Sequence, residues 1–330
     1  MTTLITGGTG FVGFELARQL IDRGERPILL DVSSGRGPLE ELKGRFDFVQ
    51  GSVAYLPEVL NAVAGKNVDC IFHLAGMLSL PSEEKPWAAF NVNAVGTYNV
   101  LEAARLFNVS QVIFSSSIAV FSEDLPTGEI TEIACTRPRT MYGTCKVFGE
   151  LMGRFYSRRF ALDFRGIRLP SVVGPFSTVV HMSSYNCWAI EAPLRNREYV
   201  LPVAPDTKVP AIYFKDAARA LLLLAEADKK KIKTMVYNLA GIAPPYTAQQ
   251  LVDAVIRKVP GAKLSFAPDA SVMTLLNEIG RMEISDEKAR QEWGWTTAFN
   301  LDYMVEDFIK EFNRPDGSRP FPRGAAVNKE

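Results

Sequence analysis

The chain has 330 residues, with 37 basic and 37 acidic side chains and therefore no formal net charge. This balance argues against a nucleic-acid partner, and the apolar runs are too short to span a bilayer, so we expect no membrane partner either. The four cysteines and two histidines show no metal-ligand spacing, so we expect no bound metal. No leader pattern opens the chain, so we expect a cytoplasmic protein.

The chain opens with a short apolar strand, a glycine-rich turn and an amphipathic helix. The strand, around Leu4 and Ile5, runs into Gly-Gly-Thr-Gly-Phe-Val-Gly at residues 7–13. In this context glycines let the pyrophosphate of a dinucleotide approach the backbone at the N-terminus of a helix. The predicted cofactor contacts in this turn are Gly7, Gly10, Phe11, Val12 and Gly13.

A second predicted strand ends at Asp31, which lies 21 residues after Gly10. A carboxylate at this point can hold the adenosine ribose hydroxyls and repels a 2′-phosphate, which favours NAD over NADP. Arg36 follows closely and could accept that phosphate, so NADP stays open as the alternative.

Strands and helices alternate through the first half of the chain. Apolar strands are predicted at 46–49, 68–74, 112–115 and 163–169, with helices at 56–64 and 92–107 between them. This rhythm predicts an α/β fold, a doubly wound parallel sheet of the Rossmann type, which binds ligands outside the carboxyl ends of its strands. Ser79 and Ser117 fall at that edge of the sheet.

The pattern becomes irregular after residue 174, with further strands at 211–214 and 235–239 and helices at 248–258 and 285–293. We therefore predict an NAD-binding Rossmann domain over 1–174, with returns at about 209–239. A smaller C-terminal substrate-binding lobe is expected from 175–208 and 240–312. Residues 313–330, rich in proline, glycine and arginine, are expected to form a surface or disordered tail.

Tyr142 and Lys146 form the most informative pair in the sequence. They are four residues apart and should share one face of a helix, and Tyr142 follows Ser117 by 25 residues. The ammonium of Lys146 would favour phenolate over phenol and so lower the pKa of Tyr142 towards neutrality. Such a pair is commonplace on exposed helices, but beside a dinucleotide-binding turn it indicates a tyrosine that acts as a base.

With these motifs assembled, the chain resembles the extended short-chain dehydrogenase/reductase family over nearly its full length. The resemblance also covers His-Leu-Ala-Gly at 73–76, Asn-Ala-Val-Gly-Thr at 93–97 and Arg-Leu-Pro-Ser-Val-Val-Gly-Pro at 168–175. It implies NAD as the cofactor, Ser117 as the donor to the reacting oxygen, Tyr142 as the proton-transferring group and Lys146 as the partner of the nicotinamide ribose. Further cofactor contacts that it implies are Ser52, Val53, Leu74, Ala75, Gly76, Asn93, Ser115, Tyr142, Lys146, Pro170 and Val172.

The chain departs from the family pattern at Ser52, where relatives usually carry an aspartate that meets the adenine amino group. Within the family, residues 136–146 and 237–241 are similar to the short-chain type of L-threonine 3-dehydrogenase. Residues 184–207 are similar to D-erythronate dehydrogenase-like enzymes. Both resemblances imply an NAD-dependent enzyme that oxidises a secondary alcohol of a small hydroxy acid or amino-hydroxy acid. Candidate substrate contacts are Ser79, Ser117, Tyr142, His181 and Ser184.

Several alternatives stay open at this point. His181 could be an ordinary loop histidine, and His73 is expected to pack in the core. Arg281 could pair with an anionic substrate, although a surface acid is the expected partner. A nucleotide-sugar 4-epimerase would use the same Ser-Tyr-Lys set, although such epimerases usually carry an arginine near 209–211, where Val-Pro-Ala stands. A non-catalytic NAD-binding protein is the third possibility.

The resemblance also implies a homodimer, because family members commonly pair through the helices that bear Asn93 and Tyr142. Phe148, Leu151 and Phe155 are the candidate apolar positions for such a contact. The same residues could instead face the core.

Overall fold

The computed structural model describes residues 1–34, 42–122, 125, 128–175, 177 and 183–314. The strands in chain order are β1 (Thr3–Thr6), β2 (Ile28–Asp31), β3 (Asp47–Gln50), β4 (Cys70–His73), β5 (Gln111–Ser117), β6 (Glu129–Ile130), β7 (Asp163–Leu169), β8 (Ser171–Val173), β9 (Tyr199–Leu201), β10 (Ala211–Tyr213), β11 (Val236–Asn238), β12 (Leu264–Phe266) and β13 (Glu283–Ile284).

The α-helices are α1 (Phe11–Asp22), α2 (Leu56–Val63), α3 (Ser79–Glu84), α4 (Pro86–Ala89), α5 (Gly96–Leu106), α6 (Met141–Phe160), α7 (Tyr185–Leu194), α8 (Phe214–Glu226), α9 (Ala248–Lys258), α10 (Ala270–Gly280), α11 (Glu287–Trp293) and α12 (Leu301–Phe312). A π-helical turn, Phe90–Val95, precedes α5, and a 3₁₀ turn, Ile118–Val120, follows β5. Among the described residues, no helix combines the length and the apolar character that crossing a bilayer requires.

Seven strands form one parallel sheet in the order β11–β7–β5–β4–β1–β2–β3. Successive side chains of a strand point to opposite faces, so Ile5 and Leu4 enter different apolar clusters. Helices α1 and α8 cover one face through residues such as Leu16 and Leu221. Helices α2, α5 and α6 cover the other face. The predicted doubly wound α/β fold is therefore confirmed.

The C-terminal part of the chain builds its own apolar cluster from α7, α9 and α12, with Ile190, Leu251 and Phe308 fully buried. Three two-stranded parallel ladders lie outside the central sheet: β8 with β10, β9 with β12, and β6 with β13. The strand predicted at 211–214 forms as β10, but it pairs with β8 and not with the central sheet. Pro170 separates β7 from β8 and has no N–H to donate to a ladder, so the chain leaves the central sheet there.

Two other predictions differ from the structure or fall outside it. The helix predicted at 92–107 begins with the π-helical turn, in which both polar atoms of the Asn93 side chain bond to the backbone of Met77. The predicted tail lies outside the described residues from position 315 onward.

Candidate active site

A cleft of about 600 Å³ runs along the carboxyl edge of the central sheet. Its wall includes the ends of β1, β2, β4, β5 and β7, the start of α1 and the first turns of α6. Parallel sheets bind ligands at this edge, as the sequence predicts.

One end of the cleft is the glycine turn. The Gly7 amide donates to Leu30 O at 2.9 Å and the Gly10 amide donates to Gly7 O at 3.0 Å, which closes the turn directly before α1. A Cβ on Gly13 would lie only 2.1 Å from Gly7 O, so no larger residue fits at that position. The N-cap of α1 is Gly10, which has no side chain to cover the helix end. This backbone cradle at a helix N-terminus fits the pyrophosphate of a dinucleotide.

Asp31 stands at the end of β2 in the same cleft. Its carboxylate accepts the Thr9 amide at 3.1 Å and the Val32 amide at 2.8 Å, which fixes its position against the glycine turn. A carboxylate held in this way can accept hydrogen bonds from ribose hydroxyls. Arg36, the residue that left NADP open, lies outside the described residues.

Nearly all of the described residues that were predicted to contact the cofactor line the cleft. They are Gly7, Gly10, Phe11, Val12, Gly13, Asp31, Ser52, Val53, Leu74, Ala75, Gly76, Ser115, Tyr142, Lys146, Pro170 and Val172. Asn93 does not. It is buried, and its side chain accepts the Met77 amide at 2.7 Å and donates to Met77 O at 3.0 Å, so it supports the cleft wall from behind.

Ser117, Tyr142 and Lys146 lie together where β5 meets α6. Ser117 ends β5, and Thr140 caps α6 by accepting the Gly143 amide at 3.0 Å, which starts the helix just before Tyr142. The helical spacing puts the Lys146 ammonium 5.4 Å from the centre of the Tyr142 ring. That ammonium donates to Ser115 O at 2.6 Å.

The electrostatics of this pair differ from the sequence prediction. Burial raises the pKa of Tyr142 to about 12, and a hydrogen bond with Ser117 opposes this only in part. Burial also lowers the pKa of Lys146 to about 8, while the nearby Cys145 and Glu150 side chains act to raise it. The expectation that Lys146 lowers the pKa of Tyr142 towards neutrality is therefore wrong for these side chains alone. The Lys146 ammonium donates its hydrogen bond to Ser115 O and not to the phenol. Removal of water from around the phenol is the largest effect on the pKa of Tyr142, and it raises that pKa.

His73 is a core residue, as expected. Its two ring nitrogens lie 2.7 Å from Thr6 Oγ1 and 3.0 Å from Thr97 Oγ1, and the side chain is buried. Burial, with a smaller contribution from the Lys146 charge, lowers the pKa of His73 to about 3. A neutral histidine with both nitrogens satisfied has a structural role here.

At the substrate end, Ser79, Ser117 and Tyr142 line the cleft. Ser184 does not, since it is buried under the start of α7, and the neighbouring Ser183 lines the cleft in its place with Oγ 2.6 Å from Ser171 Oγ. His181 lies outside the described residues.

Arg281 is exposed and does not line the cleft. It borders a separate open depression together with Asp206 and Lys208.

The sequence missed several residues of the cleft wall. Ile118 and Met77 adjoin predicted residues and could have been inferred from the strand-end rule. Val209 and Ile279 come from the C-terminal region, and no motif in the sequence pointed to them. Among the described residues, no group of three side chains could hold a metal ion.

Comparison with known proteins gives one family. The profile of the NAD dependent epimerase/dehydratase family matches residues 3–240. Among curated relatives, the mitochondrial L-threonine 3-dehydrogenase of Sus scrofa is 30% identical over 308 residues, which are 93% of this chain and 81% of that protein.

Solved structures agree with this result. The GalE-like L-threonine dehydrogenase of Cupriavidus necator, in its holo form, is 29% identical with a TM-score of 0.82, covering 94% of this chain and 99% of that one. The UDP-glucose 4-epimerase of Thermotoga maritima is 23% identical with a TM-score of 0.83, covering 95% and 99%, and at that identity it shows the shared fold alone.

Proposed function

The chain belongs to the NAD-dependent epimerase/dehydratase family, the extended short-chain dehydrogenases/reductases, and from that premise we propose that it oxidises a secondary alcohol of a small hydroxy acid or amino-hydroxy acid. Its cofactor is NAD. The observation that carries the proposal is that Ser117, Tyr142 and Lys146 line the same cleft as the glycine turn.

The glycine turn would hold the pyrophosphate, Asp31 the adenosine ribose and Lys146 the nicotinamide ribose. The bound cofactor supplies the acceptor for the hydride that leaves the alcohol carbon. All three protein groups lie on one continuous wall. The proposed division of the chain follows from this arrangement: residues 1–174, with returns at about 209–239, bind NAD, and 175–208 with 240–312 complete the substrate site.

Tyr142 is the proposed base, accepting the proton of the alcohol at its phenolic oxygen. Ser117 hydrogen-bonds to Tyr142 and is proposed to orient the reacting oxygen beside it. The Lys146 ammonium, 5.4 Å from the ring, balances the phenolate charge that develops. General-base catalysis of this kind contributes about 10²–10⁴-fold to the rate.

The epimerase alternative is disfavoured by the charges of the cleft. A nucleotide sugar would add a second diphosphate to that of NAD. The helix N-terminus at the glycine turn is already assigned to the NAD pyrophosphate, so burying the second anion would need a cation elsewhere. Among the described residues that line the cleft, Lys146 is the only cation, and it is bonded to Ser115 O. This supports a dehydrogenase with a substrate smaller than a nucleotide sugar.

Replacing the base tests the proposal. In Tyr142→Phe the phenolic oxygen is lost while the ring stays, so we expect kcat to fall at least 100-fold with unchanged NADH affinity in a fluorescence titration. Tyr303→Phe, at a half-exposed tyrosine of α12, is the matched control and should keep wild-type rates. A Tyr142→Phe enzyme with the wild-type rate would overturn the mechanism.

The fate of the hydride separates the two activities. With a panel of hydroxy acids, amino-hydroxy acids and nucleotide sugars, a dehydrogenase accumulates NADH in proportion to product. An epimerase converts its sugar with no net NADH. Stoichiometric NADH is the expected result.

We also propose that the protein is a homodimer, paired through α5 and α6. Phe148, Leu151 and Phe155 follow one another at helical spacing on α6 and are all exposed, with Leu151 at 60%. Tyr98 of the neighbouring α5 is exposed as well. An apolar surface of this kind on a folded protein marks an interface.

A further inference from the structure

The cleft extends beyond Ser117 and Tyr142 to a group of branched apolar side chains. Ile118 follows the catalytic serine, Val209 precedes β10, and Ile279 lies near the end of α10. We refer to these three residues as the apolar wall. They come from three separate parts of the chain, and the fold brings them to one end of the cleft.

The wall is continuous with both neighbouring apolar clusters. Ile279 packs against the cluster that contains Val209 and also against the cluster that contains Ile118. Ile118 and Val209 are themselves buried, so their positions are fixed by the surrounding packing. A fixed wall of branched side chains selects substrates by the size and polarity of the group that contacts it. A group that is too small leaves a void and loses dispersion contacts, and a polar group loses its hydrogen bonds to water.

Serine hydroxyls line the same cleft as the wall. Ser79, Ser177 and Ser183 line the cleft and carry no charge. Hydroxyls can donate to a carboxylate or an amide of a substrate, but they do not compensate a second buried charge. Among the described lining residues Lys146 is the only cation, and the three side chains of the wall present no charged atom to a substituent.

We propose that the substrate of this enzyme carries, on its reacting carbon, an apolar substituent larger than a methyl group, and that the apolar wall selects it. This inference rests on the proposed dehydrogenase activity and narrows its substrate class. The expected compounds are hydroxy acids or amino-hydroxy acids with an alkyl chain at the carbinol carbon.

A homologous series of substrates tests the inference. The substituent on the carbinol carbon is extended from methyl through ethyl to propyl, and a hydroxymethyl compound is added as the polar match of ethyl. Each methylene that enters an apolar pocket is worth about tenfold in specificity. We therefore expect kcat/KM to rise about tenfold per added carbon, and ethyl to exceed hydroxymethyl by at least that factor.

A variant of the wall assigns the preference to these residues. Ile279→Ser should reduce the propyl-to-methyl ratio of kcat/KM at least tenfold while NADH affinity, measured by fluorescence, stays unchanged. Ile256→Ser is the matched control, because Ile256 is exposed on α9 and does not line the cleft. It should keep the full chain-length preference.

The outcomes are distinguishable. A best rate with the methyl compound, or equal rates for ethyl and hydroxymethyl, would overturn the inference and leave the dehydrogenase standing, since NADH still forms. An unchanged chain-length preference in Ile279→Ser would also overturn it. NADH binding without NAD reduction by any compound would overturn the proposed function, and this inference with it.

Discussion

Tyr142 and Lys146 are two titratable groups one turn apart on α6, and the reaction depends on the protonation of both. With the pKa of Lys146 at about 8 and that of Tyr142 at about 12, the pair loses its first proton near pH 8. That proton comes mainly from Lys146, but a small and constant fraction of the singly deprotonated pair carries phenolate and ammonium instead. This minor form is the one that can accept a proton from the alcohol.

The pH dependence of oxidation follows from this pair. Below pH 8 both groups are protonated, so kcat/KM for alcohol oxidation should rise close to tenfold per pH unit. Above pH 8 the total charge of the pair is constant up to the second titration, so the rate should level off. Initial rates of NADH formation between pH 6 and 10 measure this profile.

Lys146→Arg gives the control for this profile. Arginine keeps its charge throughout this range, so the first proton must then come from Tyr142 itself. We expect the rise in rate to continue beyond pH 9 in the variant. Identical profiles for the two proteins would show that another group controls the rate.

At single positions the sequence was most informative where one residue type is required by local chemistry. The glycine turn and Asp31 were predictable because a tight turn and a ribose contact each admit few residue types. The direction of the Tyr142 pKa was not, because it depends on how much water the fold removes and on the carbonyl of Ser115 that captures the lysine. Sequence alone does not orient adjacent side chains in a loop, so it predicted Ser184 where the structure places Ser183 in the cleft wall.

Helix α6 carries the base and also packs directly on the central sheet. Gly153 faces the ring of Phe164 in β7 so closely that a Cβ there would lie 2.2 Å from ring atoms. Gly153 therefore lets α6 approach the sheet closely at this end, as Gly149 does against Phe114 and Gly143 does against Ala119 O next to Tyr142.

Gly153→Ala should destabilise the protein in spite of its better helix propensity. Alanine gains up to about 1 kcal/mol in a helix interior, while overpacking against a fixed ring costs about 1–3 kcal/mol. We expect a net loss of about 1–2 kcal/mol in the free energy of unfolding, measured by chemical denaturation. Arg154→Ala, at the adjacent exposed position, should change it by less than about 0.5 kcal/mol. A more stable Gly153→Ala protein would contradict the close packing.

Among the elements, the long alternating segments were predicted well and the short connections were not. Strand β5 has a continuous apolar core, Val112 to Phe114, which identifies a buried parallel strand. The partner of β10 was not predictable, because a three-residue strand carries too little pattern to choose between two sheets. The π-helical turn was not predicted, and its Asn93 side chain bonds to Met77, 16 residues away in the sequence.

At the scale of the whole molecule, the substrate end of the cleft depends on contacts distant in sequence. Val209 belongs to the C-terminal cluster, and Ile279 packs both against that cluster and against the one that contains Ile118. The apolar periodicity of a sequence describes one helix or strand at a time. It therefore predicts the cofactor part of the cleft, which follows β1, but not the substrate part, which the N-terminal and C-terminal regions form together.

The exposed face of α5 and α6 leads to a prediction about assembly. Leu151 and Phe155 lie one turn apart on α6 and are 60% and 46% exposed, which is costly for side chains of this size in an isolated chain. In a dimer these side chains would meet their counterparts across a twofold axis, since an isologous contact uses the same patch on both subunits. A carboxylate placed there would be buried beside its own copy.

Leu151→Glu should therefore convert a dimer into a monomer at micromolar concentration, as measured by sedimentation velocity. Ile133→Glu, at a position 90% exposed and outside α5 and α6, serves as the control and should leave the dimer intact. A wild-type protein that sediments as a monomer would contradict the proposed pairing. Helix α6 also carries Tyr142, but Leu151 is exposed and does not line the cleft. We therefore expect the monomeric variant to keep its NADH affinity.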